Sequence, residues 1–128
     1  MHFPPSFAPW IAVALIALLS LVPGNLRPHT GLPGQAEHFI AYFVIGFVLA
    51  ARFRTRTAWL VVIVSLGAYA AGLEILQRWI PDRNAQFIDF AASFFGALCG
   101  VGLFIAILQW RRRNDALTES EKPGPLQG

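Results

Sequence analysis

The sequence predicts an all-α integral membrane bundle of four transmembrane helices with both termini in the cytoplasm. Three observations lead there. The side chains are 55% hydrophobic and only 13% charged, with a mean hydropathy of +0.54, far more apolar than an average soluble domain. Four apolar segments, at about 7–22, 36–53, 58–79 and 87–110, are separated by short stretches that carry Pro, Gly and charge. The basic residues are also sided. Arg52, Arg54, Arg56, Arg111, Arg112, Arg113 and Lys122 fall on one side of the spans, against Arg27, Arg78 and Arg83 on the other, and the richer side faces the cytoplasm by the positive-inside rule.

The first segment, "FAPWIAVALIALLSLVPG", runs from Phe7 and stops at Pro23 and Gly24. Its apolar core is as short as that of a signal peptide. No basic residue precedes it, however, and no small-x-small cleavage site follows, so it is read as a retained helix. The second, Ala36 to Phe53, opens with Glu37 and His38 and closes on Arg52 and Arg54. The third starts near Ala58 and ends around Gln77 to Trp79, ahead of Pro81. The fourth runs from Phe87 to Trp110 and meets the three arginines. About 20 residues at ~1.5 Å each cross a hydrocarbon core of ~30 Å, and segments two to four meet that length. All must be helical, because lipid offers backbone groups no other partner. Trp10, Trp79 and Trp110 fall where an aromatic belt is expected.

Residues 1–113 thus read as one transmembrane domain. The closing "NDALTESEKPGPLQG", 114–128, is polar, partly acidic and rich in Pro and Gly, and reads as a disordered cytoplasmic tail. The lone Cys99 lies inside an apolar run, which excludes a disulfide framework and a cysteine metal site and suits a small buried packing residue. A formal charge of +3, scattered between apolar runs, sets nucleic acid aside as a partner. Neither a metal-ligand spacing nor a cofactor motif is present.

With this topology the polar residues collect at one level. His38 and Tyr42, four apart, share a helical face at the outer end of segment two. Glu74 and Gln77, three apart, do so at the outer end of segment three, and Asp89 and Ser93 follow in the first turns of segment four. The turn "PDRN" carries Arg83 directly above, with Asn84 as the expected N-cap of segment four. Below this level the same faces become small: Gly46, then Gly67 and Ala71, then Gly96 and Gly100 in a GxxxG step that permits close backbone approach. The helices are expected to close tightly toward the cytoplasm and leave a polar cavity open to the outside.

Taken singly, His38, Tyr42, Gln77 and Ser93 need do no more than hold helices together, at under about 2 kcal/mol per hydrogen bond. The carboxylates are different. A charged acid at membrane depth costs about 2.5 to 3.5 kcal/mol even on the lenient insertion scale, so Glu74 and Asp89 require partners, with Arg83, Arg78 and His38 the nearest candidates. A convergent ionisable set of this kind is a functional-site hypothesis. His38, Glu74 and Asp89 are the candidate catalytic groups; Tyr42, Gln77, Arg83 and Ser93 are the candidate ligand-binding groups.

The order H-x3-Y, then E-x2-Q-x5-R-x5-D, then small residues, is carried by "HFIAYFVIG" (His38 to Gly46), "EILQRWIPDR" (Glu74 to Arg83) and "DFAASFFGALCG" (Asp89 to Gly100). It resembles the VanZ-like family of small bacterial membrane proteins. The chain departs from the family pattern at Gly34 and Gln35, where an Asp-Lys pair is usual, and at Ser93, where an asparagine is usual. The family is named for a protein associated with low-level resistance to the glycopeptide teicoplanin, and glycopeptides act on cell-wall precursors at the outer membrane face. The resemblance therefore implies a multi-pass protein of the bacterial inner membrane. Its outward-facing site would bind or act on an envelope lipid or cell-wall precursor and influence glycopeptide sensitivity. Membrane lipids, a lipid-linked precursor, a glycopeptide or a second copy of the chain are the partners this implies.

No Ser-His-Asp order, zinc-ligand spacing or phosphatase signature occurs, so the sequence names no bond to be broken and leaves catalysis open. A noncatalytic membrane interaction protein is the alternative. A proton-coupled transporter subunit is a third, opposed by the lack of any acid or histidine in the cytoplasmic halves of segments two to four.

Overall fold

The computed structural model describes residues 7–21, 31–81, 86–122 and 124. Their regular elements are four helices: α1 (Ala8–Leu21), α2 (Gly34–Arg52), α3 (Arg56–Gln77) and α4 (Phe87–Ser120). Three of them, α2, α3 and α4, are long and apolar enough to cross a membrane. The 14 residues of α1 span only about 21 Å. Outward-facing Ile40, Val44, Leu60, Val64, Phe95 and Leu103 are all exposed, a surface that suits lipid and not water.

Local chemistry sets the ends. Helix α2 follows Pro33, with Glu37 in its first turn and Arg52 in its last, each facing the helix-dipole end that suits its charge. Phe53 is extended, and the Thr55 side chain accepts from the Ala58 amide at 3.1 Å. That cap starts α3 at Arg56, two residues ahead of the expected Ala58. Helix α3 ends at Gln77, with Arg78 as its C-cap. The expected cap of α4 is corrected: Asn84 lies outside the described residues, and Gln86 occupies the N-cap position without a side-chain hydrogen bond.

The far end of α4 departs most from expectation. The helix passes Trp110 and runs to Ser120, 34 residues in all, so 114–120 continue it instead of forming a disordered tail. No Gly or Pro interrupts the sequence before Pro123, and Arg, Ala, Leu and Glu are good helix formers. Thr118 Oγ1 donates to the Asn114 carbonyl at 3.0 Å along this exposed stretch.

The central pair is α2 and α4, packed backbone to backbone. A Cβ on Gly46 would lie 2.8 Å from the Ala97 carbonyl oxygen, one on Gly96 would run into the Phe39 carbonyl, and one on Gly100 into that of Phe43. Only glycine permits this approach, as the small-residue stripe suggested. Tyr42, Ile45, Ala97 and Val101 are almost fully buried along the seam. Helix α3 meets the pair through Val62, Leu66, Ala70 and Leu73, but a Cβ on Gly67 would meet the Phe94 ring, at 3.1 Å. A ring, not a backbone, fills that step. At the arginine-rich end, Phe47 and Trp59 pack edge-on to Phe104, with centroids 5.7 and 6.4 Å away.

Cys99 is exposed, which corrects its reading as a buried packing residue. Gly96 and Gly100 face α2, and a position one residue before Gly100 is rotated about 100° away from that face.

Candidate functional site

The end of the bundle formed by the C-terminal turns of α1 and α3 and the N-terminal turns of α2 and α4 holds nearly all the acidic and polar side chains singled out above. We call it the acid end. Here α2 contributes His38 and Tyr42, α3 contributes Glu74 and Gln77, and α4 contributes Asp89 and Ser93, all lining one small cavity. Ala70, Leu73 and Phe90 complete its apolar walls, and Ser20 of α1 reaches it as well. The space open to a water-sized sphere is about 10 Å³, close to the room one water molecule needs.

Six of the seven candidate residues therefore meet at one place. Arg83 lies outside the described residues. Arg78, the other candidate cation, is exposed at the C-cap of α3 and is not part of the cavity lining.

The six differ in what they have left to offer. Gln77 is buried, and its Nε2 donates to the Ser20 carbonyl at 3.0 Å. That oxygen belongs to the last turn of α1, where carbonyls lack partners within the helix. Gln77 thus ties α1 to α3, and one of its two amide protons is committed to that role. Ser93 donates back to the Asp89 carbonyl at 2.9 Å, as hydroxyls in helices often do, and so presents only acceptor capacity to the cavity. Tyr42 is buried, its ring tilted against that of Tyr69 at 6.4 Å.

The carboxylates are half-buried as residues, yet Glu74 Oε1 and Asp89 Oδ1 are themselves buried atoms. Asp89 Oδ1 has no hydrogen-bond partner among the described residues. Asp89 sits in the first turn of α4, where the helix dipole favours a negative charge. A buried acceptor left without a donor costs about 1 to 3 kcal/mol, so this oxygen is where a donated hydrogen bond would count most. His38, half-buried on the opposing helix, adds the only side chain in the set whose ordinary titration lies near neutrality. Acid and imidazole lining space for one water are the residue types that pass a proton through such a water. Among the described residues no group of three or more His, Cys, Asp or Glu side chains could hold a metal ion.

Ser20 went unrecognised in the sequence, as did the fact that four helices and not three build the site. It is the only hydroxyl in "APWIAVALIALLSL", a faint signal that could have marked the α1 turn reaching the acid end. Tyr69, whose hydroxyl donates to the Val13 carbonyl at 2.6 Å, is the second tie between α1 and α3.

A search of the curated proteins and of the solved structures finds no match to this chain. The VanZ/LLP1 family model matches residues 7–109, a stretch that contains every cavity-lining residue. The chain belongs to the VanZ/LLP1 family.

Proposed function

We propose that the acid end is an outward-facing site of a bacterial inner-membrane protein. It binds the polar head of an envelope lipid or lipid-linked cell-wall precursor, and through that binding influences glycopeptide sensitivity. The observation that carries this reading is the convergence of Glu74, Asp89 and His38, from three separate helices, on one cavity. Its size limits what enters. Space for about one water admits a single hydroxyl or amine, and two acids favour a hydrogen-bond donor over an anion. The rest of the head group stays outside the cavity, and Arg83, which the sequence places between α3 and α4, is of a residue type suited to a phosphate or carboxylate.

In this scheme His38 and one of the two acids move a proton to or from the inserted group, and Tyr42 fixes its position. A noncatalytic reading draws support from Ser93, whose hydroxyl proton is already committed within the protein, and from Gln77, one of whose two amide protons is. Transport is weaker, since Ile45, Val62, Leu66, Val101 and Phe104 make the core beyond the site apolar.

The test is incubation of the purified full-length chain with a panel of envelope lipids and precursors, followed by mass spectrometry of what is retained and what is changed. Retention of one lipid class, lost in Asp89→Asn and His38→Ala, is the expected result. Chemical change of that lipid, abolished by the same substitutions, assigns catalysis; retention without change, tolerant of Asp89→Glu, assigns binding alone. Equal retention of every lipid by wild type and variants contradicts the proposal.

A further inference from the structure

The opposite, arginine-rich end of the bundle does not close as tightly as the sequence predicts: it carries a second concavity, unrelated to the acid end in position and chemistry. Between the N-terminal half of α1, the last turns of α2 and the first half of α3 lies a cavity of about 610 Å³, within the usual ligand-pocket range of about 300–1,000 Å³. Trp10, Val13, Leu49, Val61 and Val62 supply its apolar walls.

Its dimensions and its two ends differ in ways that name an occupant. Along α3 the lining runs from Thr55 to Tyr69, and the intervening rise is about 21 Å, somewhat more than the ~15 Å of hydrocarbon in one leaflet. The deep end is closed where the Tyr69 hydroxyl donates to the Val13 carbonyl. The shallow end lies in the connector between α2 and α3, where lining residues Phe53, Thr55 and Thr57 alternate with Arg52, Arg54 and Arg56. The Arg52 guanidinium lies over the Phe53 ring, 5.6 Å from its centroid. Arg56 stands between the two threonines at the first turn of α3, whose leading amides favour an anion. Arg54 turns the other way, over Phe104 at 5.8 Å. Among the described residues, no acidic side chain lines the cavity.

We infer that this groove is a binding site for an anionic glycerophospholipid of the leaflet on the arginine-rich side, with one acyl chain lying along α3 and the phosphate held by Arg52, Arg56 and the start of α3. An apolar cleft in a membrane gains nothing by closing, because lipid tails solvate it as well as Leu or Val does. Charge complementarity at one end then selects which lipid fills it.

The experiment uses the full chain reconstituted in phosphatidylcholine nanodiscs doped with phosphatidylglycerol, released and weighed by native mass spectrometry. Wild type is expected to retain one phosphatidylglycerol, enriched over its share of the bilayer. Arg52→Gln and Arg56→Gln should each reduce that enrichment about fivefold, while Arg54→Gln leaves it nearly unchanged. Ser65→Trp places an indole in the groove from an exposed position and should abolish retention of either lipid. Val61→Trp serves the same purpose should the first variant not fold, with circular dichroism as the check on both. Equal retention of the two lipids by wild type, or undiminished retention by the folded tryptophan variants, overturns the inference. So does a lipid-free dimer that the tryptophan variants dissociate, which would assign the groove to a second copy.

Discussion

At the acid end, seven polar side chains from four helices close around space for about one water, whereas at the arginine-rich end the helices part around about 610 Å³ lined mostly by apolar groups. The α2–α4 seam runs through both regions, so the difference lies in how α1 sits on α3. Toward the acid end two side-chain hydrogen bonds tie them, Gln77 to Ser20 and Tyr69 to Val13. Beyond Tyr69, among the described residues, apolar contacts take over. In lipid those contacts carry no hydrophobic penalty for opening. Polar bonds therefore decide where α1 is held against α3, and the groove lies where apolar contacts replace them.

The largest expected effect tests the seam that both ends share. Gly100→Val or Gly96→Val drives a side chain into the backbone of α2 and should cost about 3 kcal/mol or more, read as loss of folded protein in a thermal scan. Gly67→Ala should cost under about 1 kcal/mol, because the Phe94 ring that it meets can shift as a backbone cannot. Similar losses at Gly67 and Gly100 would refute the distinction between ring contact and backbone contact.

The ties of α1 come next. Gln77→Ala and Tyr69→Phe should each cost about 0.6 to 1.7 kcal/mol, the range for hydrogen bonds within membranes. Both should also raise proteolysis or hydrogen exchange in α1 before any change in α2 or α4. Uniform loosening of all four helices would mean that α1 is not held separately.

Smaller still is Ser93→Asn, which restores the amide usual in the family pattern. It should keep the fold and alter ligand retention at the acid end by about tenfold or less, measured by the same mass spectrometry, since one hydrogen bond contributes about 0.5 to 1.5 kcal/mol net. The smallest concerns Lys122 and Glu119, paired at 2.9 Å on the exposed end of α4. Lys122→Ala should leave thermal stability unchanged, as surface pairs of this kind contribute little.

How much of this was legible depended on whether each signal was local. Spans α2 to α4 followed from hydropathy and length, and the cavity lining followed from helical spacing: His38 with Tyr42, Glu74 with Gln77, Asp89 with Ser93. Gly96 and Gly100 announced a close backbone approach in the same way, and the structure supplies α2 as the partner. Ser20 did not, because one hydroxyl in an apolar run does not say which turn of α1 leans on α3. The reach of α4 to Ser120 was obscured by the polarity of its last turns, which composition reads as tail although no helix breaker intervenes. The groove was hidden for a different reason. Val61, Val62 and Leu49 have the same hydropathy whether they line a concavity or face the bilayer, and only packing separates the two.

The most direct test of the shared acid-end site is disulfide trapping in native membranes, in a Cys99→Ser background. His38→Cys combined with Asp89→Cys, and His38→Cys combined with Glu74→Cys, should cross-link under mild oxidation, while His38→Cys combined with Trp110→Cys should not. Failure of both acid-end pairs to link, or linking of all three to the same extent, would contradict a common pocket.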